Sequence, residues 1–299
     1  MSTNTTIKSS LTNSAGKYLV PEPLANILWT NIQNKSAVIP FLTKIPMASA
    51  TLSINGIDDD LVMSWVSTEG GAKTVSNETY KQKVMTAYEL AVIVTITDIL
   101  LEDSSIEMNS HIRGEIEDAV VRALEQSYLG YYDGTPFAET ISGSCPAAHT
   151  VAAGTGEDLL VDISNALGFI EEDGFTNNIG FVTHPAVKAQ LRNLRDDYGQ
   201  PLFQPANAAE PASLFGYPLR FTRNMVTQDS PAGYELIVAD WKYMIEGVRN
   251  SMTLTKTSVG TVGDHNLFVE NKTAIKAHIR RGFVIRDVNA LAKVTGLGV

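Results

Sequence analysis

The strongest constraint on the fold is an alternation: Val84, Thr86, Tyr88, Leu90, Val92, Val94 and Ile96 occupy every second position of "KVMTAYELAVIVTI". Side chains on a strand alternate between faces, so these residues share one side of a strand of about 14 residues, well beyond the usual five or six. Ahead of it lies the polar, glycine-rich stretch "WVSTEGGAKTVSNETY", Trp65 to Tyr80, and ahead of that another β-like run, "LVMSWV". Two long strands joined by a polar excursion predict a protruding β-hairpin. Its tip, carrying Trp65, Glu69 and Lys73, has too few apolar residues to bury itself in its own subunit.

The segments around the hairpin differ in kind. Residues 1–17 are rich in Ser, Thr and Asn and read as a flexible arm. In "VPEPLANILWTNIQNKSAV", Pro23 can open a short helix with Leu24, Ile27, Leu28 and Ile32 on one face. "IPFLTKIPMASATLSINGI" alternates around two prolines, which suits edge or bent strands, and Asp58, Asp59 and Asp60 read as a turn. After the hairpin, Asp103 or Ser104 is placed to cap a helix ending at Gly130, roughly 35 to 40 Å long. Ile112, Ile116, Ala119, Ala123 and Ser127 form its inward stripe, and Glu107, Glu115, Asp118, Arg122 and Glu125 its solvated face.

Residues 131–156 lack periodicity and read as a loop. A second unit follows: a helix over 157–172 with Leu159, Ile163, Leu167 and Ile170 inward, the strand "IGFVT", a helix from Pro185, and the strands "LRFTRN" and "YELIVAD". Helices and strands without regular alternation make this α+β. In "NKTAIKAHIRRGFVI", Thr273, Ile275, Ala277 and Ile279 face one way, and Lys272, Lys276, His278 and Arg280 the other. "DVNALAKVTG" closes the chain as a short helix or strand.

Charge and chemistry narrow the functions. A net charge of −10 argues against a whole surface that grips nucleic acid or an anionic membrane. The single cysteine, Cys145, excludes an intramolecular disulfide and fits a reducing cytoplasm, and no apolar run is long enough to span a bilayer. "GTGEDL" lacks the rest of a phosphate loop, and "SGSC" is no nucleophile elbow. His111, His149, His184, His265 and His278 never pair at metal-ligand spacing. No catalytic, cofactor or metal residue is assigned. A hydrolase built from Cys145, His184 and a carboxylate stands as the competing reading, without a spacing that supports it.

The order of parts carries more information than any motif. "LVPEPLANILWTNI", "WVSTEGGAK", "ELAVIVTITDILLEDS", "FVTHPAVKAQLRNLRDDYGQPLF" with "LFGYPLRFTRNM", "ELIVADWKYMIEGVRNSMTL" and "AIKAHIRRGFVIRDVNALAKV" follow one another from about residue 18 to the end. In that order they resemble the major capsid proteins of tailed phages with the Hong Kong ninety-seven fold. The resemblance implies an N-terminal arm (1–38), a peripheral domain with a long spine helix (39–49, 86–156, 248–282), an extended loop (50–85) and an axial domain (157–247, 283–299).

It further implies subunits that form pentamers and hexamers and close an icosahedral shell around double-stranded DNA, bound without sequence specificity. The implied location is the virion, with assembly in the host cytoplasm. A portal protein would be a partner, with decoration proteins as further candidates; no long helical scaffolding segment stands ahead of the arm, which the resemblance accommodates either by removal of that segment or by a separate scaffolding protein. Some members cross-link a loop lysine to a neighbour's asparagine; Lys73, Lys81 and Lys83 with Asn266 or Asn271 are the formal counterparts. A cargo-enclosing nanocompartment shell of the encapsulin type is the alternative on the same fold. The residues expected to mediate self-assembly are Trp65, Glu69, Lys73, Lys272, Lys276 and Arg280.

Overall fold

The computed structural model describes residues 17–19, 32, 35–59, 79–103, 108–154, 159–193, 212–229 and 232–298. Its strands are β1 (Lys17–Leu19), β2 (Thr43–Pro46), β3 (Thr51–Asp59), β4 (Thr79–Thr86), β5 (Tyr88–Thr97), β6 (Thr150–Ala152), β7 (Ile179–Thr183), β8 (Ser213–Leu214), β9 (Tyr217–Phe221), β10 (Gln228–Asp229), β11 (Ala232–Asp240), β12 (Met244–Thr257), β13 (Thr261–Val262), β14 (His265–Asn266), β15 (Lys272–Ile285) and β16 (Leu291–Leu297). Helices cover Asp98–Asp103, Met108–Leu129, Leu159–Glu172 and Lys188–Asn193.

Two sheets organise the chain. One runs β6-β16-β11-β7-β9-β8, with β10 beside β11. It is closed on both faces: Phe181, Leu236, Val238 and Val294 pack with the helix Leu159–Glu172, while Val182, Ile237 and Ala239 join the core of the long helix Met108–Leu129. The period-two division of β7 and β11 between two cores explains why "IGFVT" is buried at every position. The other sheet runs β1-β12-β15-β5, with β2 parallel to β12. Met252, Leu254, Ala277 and Ile279 turn its inner face to the long helix.

The seven-stranded sheet takes two strands the sequence left open. The segment after Asp287 is the strand β16, entered through a single turn over Val288–Ala290 that Asp287 caps, its carboxylate accepting from Asn289 N at 3.0 Å. Within the expected loop, Thr150–Ala152 pairs in parallel with β16.

The hairpin is present: β3 pairs antiparallel with β4 from Thr51↔Thr86 to Asp59↔Thr79. Asp58 and Asp59 belong to β3 rather than to a turn; the register shifts between Ile57 and Asp59, so the strand absorbs an irregularity and continues. The expected 14-residue strand divides at Ala87 into β4 and β5. Leu90, Val92, Val94 and Ile96 do share the inner face. Across the break the parity inverts, leaving Val84 58% exposed and Met85 buried.

The long helix is described over Met108–Leu129, and Asp103 closes a short helix, Asp98–Asp103; the expected cap at Ser104 lies outside the described residues. At its other end Gly130, at φ 98°, donates to Gln126 O, the left-handed stop the sequence required. The inward stripe is broader than expected: Ile112, Ile116 and Ser127 are buried as expected, and Val120, Val121, Leu124 and Tyr128 are buried with them, whereas Ala119 is exposed and Ala123 half-buried. A methyl group buries little area, so the bulkier neighbours take the core. The N-terminal segment locks onto this body through Phe41, stacked 5.1 Å from Trp241 and lying under the Arg220 guanidinium at 4.7 Å. The proposed helix around Pro23 lies outside the described residues except at Ile32, which is fully buried.

Candidate functional site

The hairpin is rooted by an unusual seat. Gly247 on β12 and Gly282 on β15 are direct cross-strand partners; a Cβ on Gly247 would collide with Met47 and Met85, and one on Gly282 with Met85 while crowding the Thr86 carbonyl. Glycine at both positions therefore opens a niche for two flexible methionines, which hold β2 and β4 against the sheet. Arg249 braces the same corner by donating to the carbonyls of Met47 and Ala48. Lys83 adds a third anchor, 2.7 Å from both a Glu139 carboxylate oxygen and the Ile285 carbonyl. Trp65, Glu69 and Lys73, expected at the tip, lie outside the described residues.

Of the basic strand face, Lys276 and Arg280 are exposed and Lys272 is partly covered. The structure brings two of them to partners within the subunit. Lys272 pairs with Glu270, holding that exposed carboxyl below its usual range, and Arg280 lies 3.2 Å from Glu89 on β5. Opposite-charge pairs between exposed side chains contribute little to stability.

Three buried polar networks were not anticipated. Glu125, placed by the sequence on the solvated face, is 1% exposed. It accepts from Ser36 Oγ and Ala37 N at 2.6 Å, Val38 N at 3.2 Å, Thr222 Oγ1, and Asn224 Nδ2 at 2.6 Å. One carboxylate thus ties the N-terminal segment, the long helix and the turn after β9. Arg281, next to exposed Arg280 but on the opposite face, is 2% exposed and sits 3.3 Å from Glu246, which also accepts from Tyr128 OH at 3.0 Å. Burial pushes the Glu246 carboxyl up, and the Arg281 charge opposes that rise. Glu235 accepts from Tyr131 OH at 2.6 Å, Ser142 Oγ at 2.5 Å and Lys293 Nζ at 3.0 Å, fixing the 131–156 loop to the seven-stranded sheet.

The side chains considered for catalysis are held by structure. Burial raises the Cys145 thiol, which favours the unreactive protonated form, and its sulfur lies among the carbonyls of Pro146, His149 and Leu291. His184 caps the turn at Pro185, its Nδ1 accepting from Ala186 N at 3.1 Å, and stacks on Tyr234. Lys83 is committed to Glu139, and the Asn266 side chain accepts from Phe268 N and Val269 N, so neither is poised for a cross-link. Among the described residues no group of His, Cys, Asp and Glu could hold a metal ion.

Comparison with known proteins agrees with this architecture. The model of the "Phage capsid family" matches residues 16–296. A solved chain of Microbacterium phage Oxtober96 superposes with a TM-score of 0.75 at 23% identity, covering 87% of this chain and 90% of that one. One of Mycobacterium phage Bobi gives 0.74 at 22% identity, with 87% and 90% covered. A chain titled "Capsid of native GTA particle computed with C5 symmetry" gives 0.68 at 16%, with 86% and 89% covered. No curated protein matches the sequence. With the family model spanning nearly all of it, the chain belongs to the phage capsid family, as a structural protein of the phage shell.

Proposed function

We propose that this chain is the major capsid protein of a tailed phage and that its copies close an icosahedral shell, through pentamers and hexamers, around double-stranded DNA. Membership of the family carries the reading. The geometry supports it: a rooted hairpin and an exposed basic strand face suit a protein whose work is contact between copies. Ring-forming contacts join two different patches on each subunit. In this reading 39–49, 86–156 and 248–282 form the peripheral domain, 50–85 the extended loop, and 157–247 with 283–299 the axial domain. Trp65, Glu69 and Lys73 lie on a neighbouring subunit, and Lys272, Lys276 and Arg280 face acidic surface there. The packaged genome and a portal vertex separate this assembly from a nanocompartment.

Removal of residues 62–80 tests the reading. Expressed alone, the parent chain is expected to give rings or shells in negative-stain micrographs, and the deletion a folded subunit that assembles poorly. Normal shells from the deletion would sink the role given to the loop.

A further inference from the structure

The return strand β15 is entered through a turn that exposes apolar side chains on a rigid mount. Phe268 is 75% exposed, Val269 73% and Val259 53%. The mount is fixed from below: Leu267 is buried, its N–H donating to Gly260 O at 2.9 Å and its carbonyl accepting from Lys272 N at 2.9 Å. It is fixed from within by the Asn266 side chain, which accepts from the N–H groups of Phe268 (3.2 Å) and Val269 (3.3 Å), and by Glu270, which accepts from Asn266 N at 3.2 Å. An aromatic ring held outward on a turn with this many bonds has lost its backbone entropy before meeting a partner.

The same chain carries a complementary hollow. Between the long helix and strands β5 and β15 lies a largely apolar cavity of about 190 Å³, whose lining includes Leu90, Val92, Ala119, Ala123 and Ile279, with Tyr132 and His278 as its polar members. The hollow exists because the helix presents alanines toward the edge strand, and Tyr132, 42% exposed, stands at the rim. An apolar cavity of about 150 Å³ takes a benzene ring, so a phenyl group fits this one by size and chemistry. The subunit's own Phe268 does not reach it. Ala277, which also lines the cavity, is five residues into β15, about 17 Å from the strand's start at Lys272, and the turn is pinned beyond that start.

We infer that Phe268 of one copy inserts into the Ala119–Ala123 cavity of a second copy, making a head-to-tail contact between two different patches of one chain. The inference rests on the shell reading above and names one contact within it. Knob and hollow on one subunit are the arrangement that propagates an assembly rather than ending it at a dimer. Val269, exposed next to Phe268 on the same turn, would exclude water at the ring's margin, as the surroundings of an interface anchor do.

A double-mutant cycle on particle formation tests this. Ala123→Leu fills the cavity from the helix with a good helix former, and Phe268→Ala removes the knob. The isolated Ala123→Leu subunit is expected to unfold at or above the parent temperature. Each single variant should need about ten-fold more protein to form particles, and the double variant no more than either single. Should Ala123→Leu disturb folding, Ala119→Leu at the exposed rim carries the same expectation. Parent-like assembly of the cavity-filled subunit, or losses that multiply to about a hundred-fold in the double variant, would overturn the contact while leaving the shell reading intact. A parent chain that forms no particles even when co-expressed with the other head proteins of its phage would overturn both.

Discussion

The two sheets are finished to different degrees. In the seven-stranded sheet β7 is buried at every position and β11 at all but its first three residues, apart from Gly233, because separate cores cover the two faces. In the five-stranded sheet the edge strand β5 alternates, its outward Glu89, Ala91, Ile93, Thr95 and Thr97 exposed. An edge that long, with Ile93 49% exposed, would be a liability in a protein that stays alone. The contrast teaches where two jobs reside: the closed sheet and the inner face of the open one hold the subunit together, and in the proposed reading the outer face and turns are left to neighbours. Adjacent residues obey it, with Arg281 inside and Arg280 outside.

The contrast is broken most severely at the inner face. Arg281→Met leaves Glu246 buried without its guanidinium partner, and the expected loss of subunit stability at neutral pH is about 3–5 kcal/mol. The sign of its pH dependence follows from Glu246, whose carboxyl is raised by burial even with Arg281 present. A raised acid contributes its stability in full below its unfolded value and loses it as pH rises through the folded value. Without the arginine that folded value climbs further, so the gap from the parent should narrow as pH falls toward the ordinary carboxylate range. Thermal unfolding across a pH series reads it, and a gap constant with pH would refute the account. A smaller loss, about 2 kcal/mol, is expected for Glu125→Gln, which removes the charge from a hub of five donors. Hydrogen exchange at Ala37 and Val38 should rise with it.

What was legible in the sequence follows the same division. Leu90, Val92, Val94 and Ile96 were readable because an inner face imposes period two, and Ile163, Leu167 and Ile170 because a helix imposes 3.6. The inversion at Ala87 was not, since the pattern has no mark for a break that swaps Val84 outward and Met85 inward. The long helix was misread at Ala119 and Ala123: they sit at helical spacing from Ile112 and Ile116, but so do the bulkier Val120 and Leu124. Glu125 was missed because a charged residue favours water, and Arg281 received no reading of its own beside Arg280. Spacing held the correction, since Glu125 is four residues from buried Val121 and Arg281 two from buried Ile279. No local signal named their partners, which come from segments far apart in the chain.

The smallest effect on the subunit, and the finest probe of the contrast, is at Arg280. Its pair with Glu89 is exposed on both sides, so Arg280→Gln should change subunit stability by under about 1 kcal/mol. Two duties are then separable. If the arginine serves Glu89 alone, Arg280→Gln and Glu89→Gln break the same bond, and neither changes assembly. If the basic face meets acidic surface on a neighbour, the two variants act in opposite directions: removing the arginine slows assembly, whereas removing the glutamate frees the arginine and leaves the face more positive. Light-scattering kinetics at low salt should show the opposed pair of effects, and both should shrink as salt shortens the range of the field. Equal rates for the two variants at every salt concentration would confine Arg280 to its own subunit and leave Lys276, exposed on the same strand face, as the basic residue free to meet a neighbour.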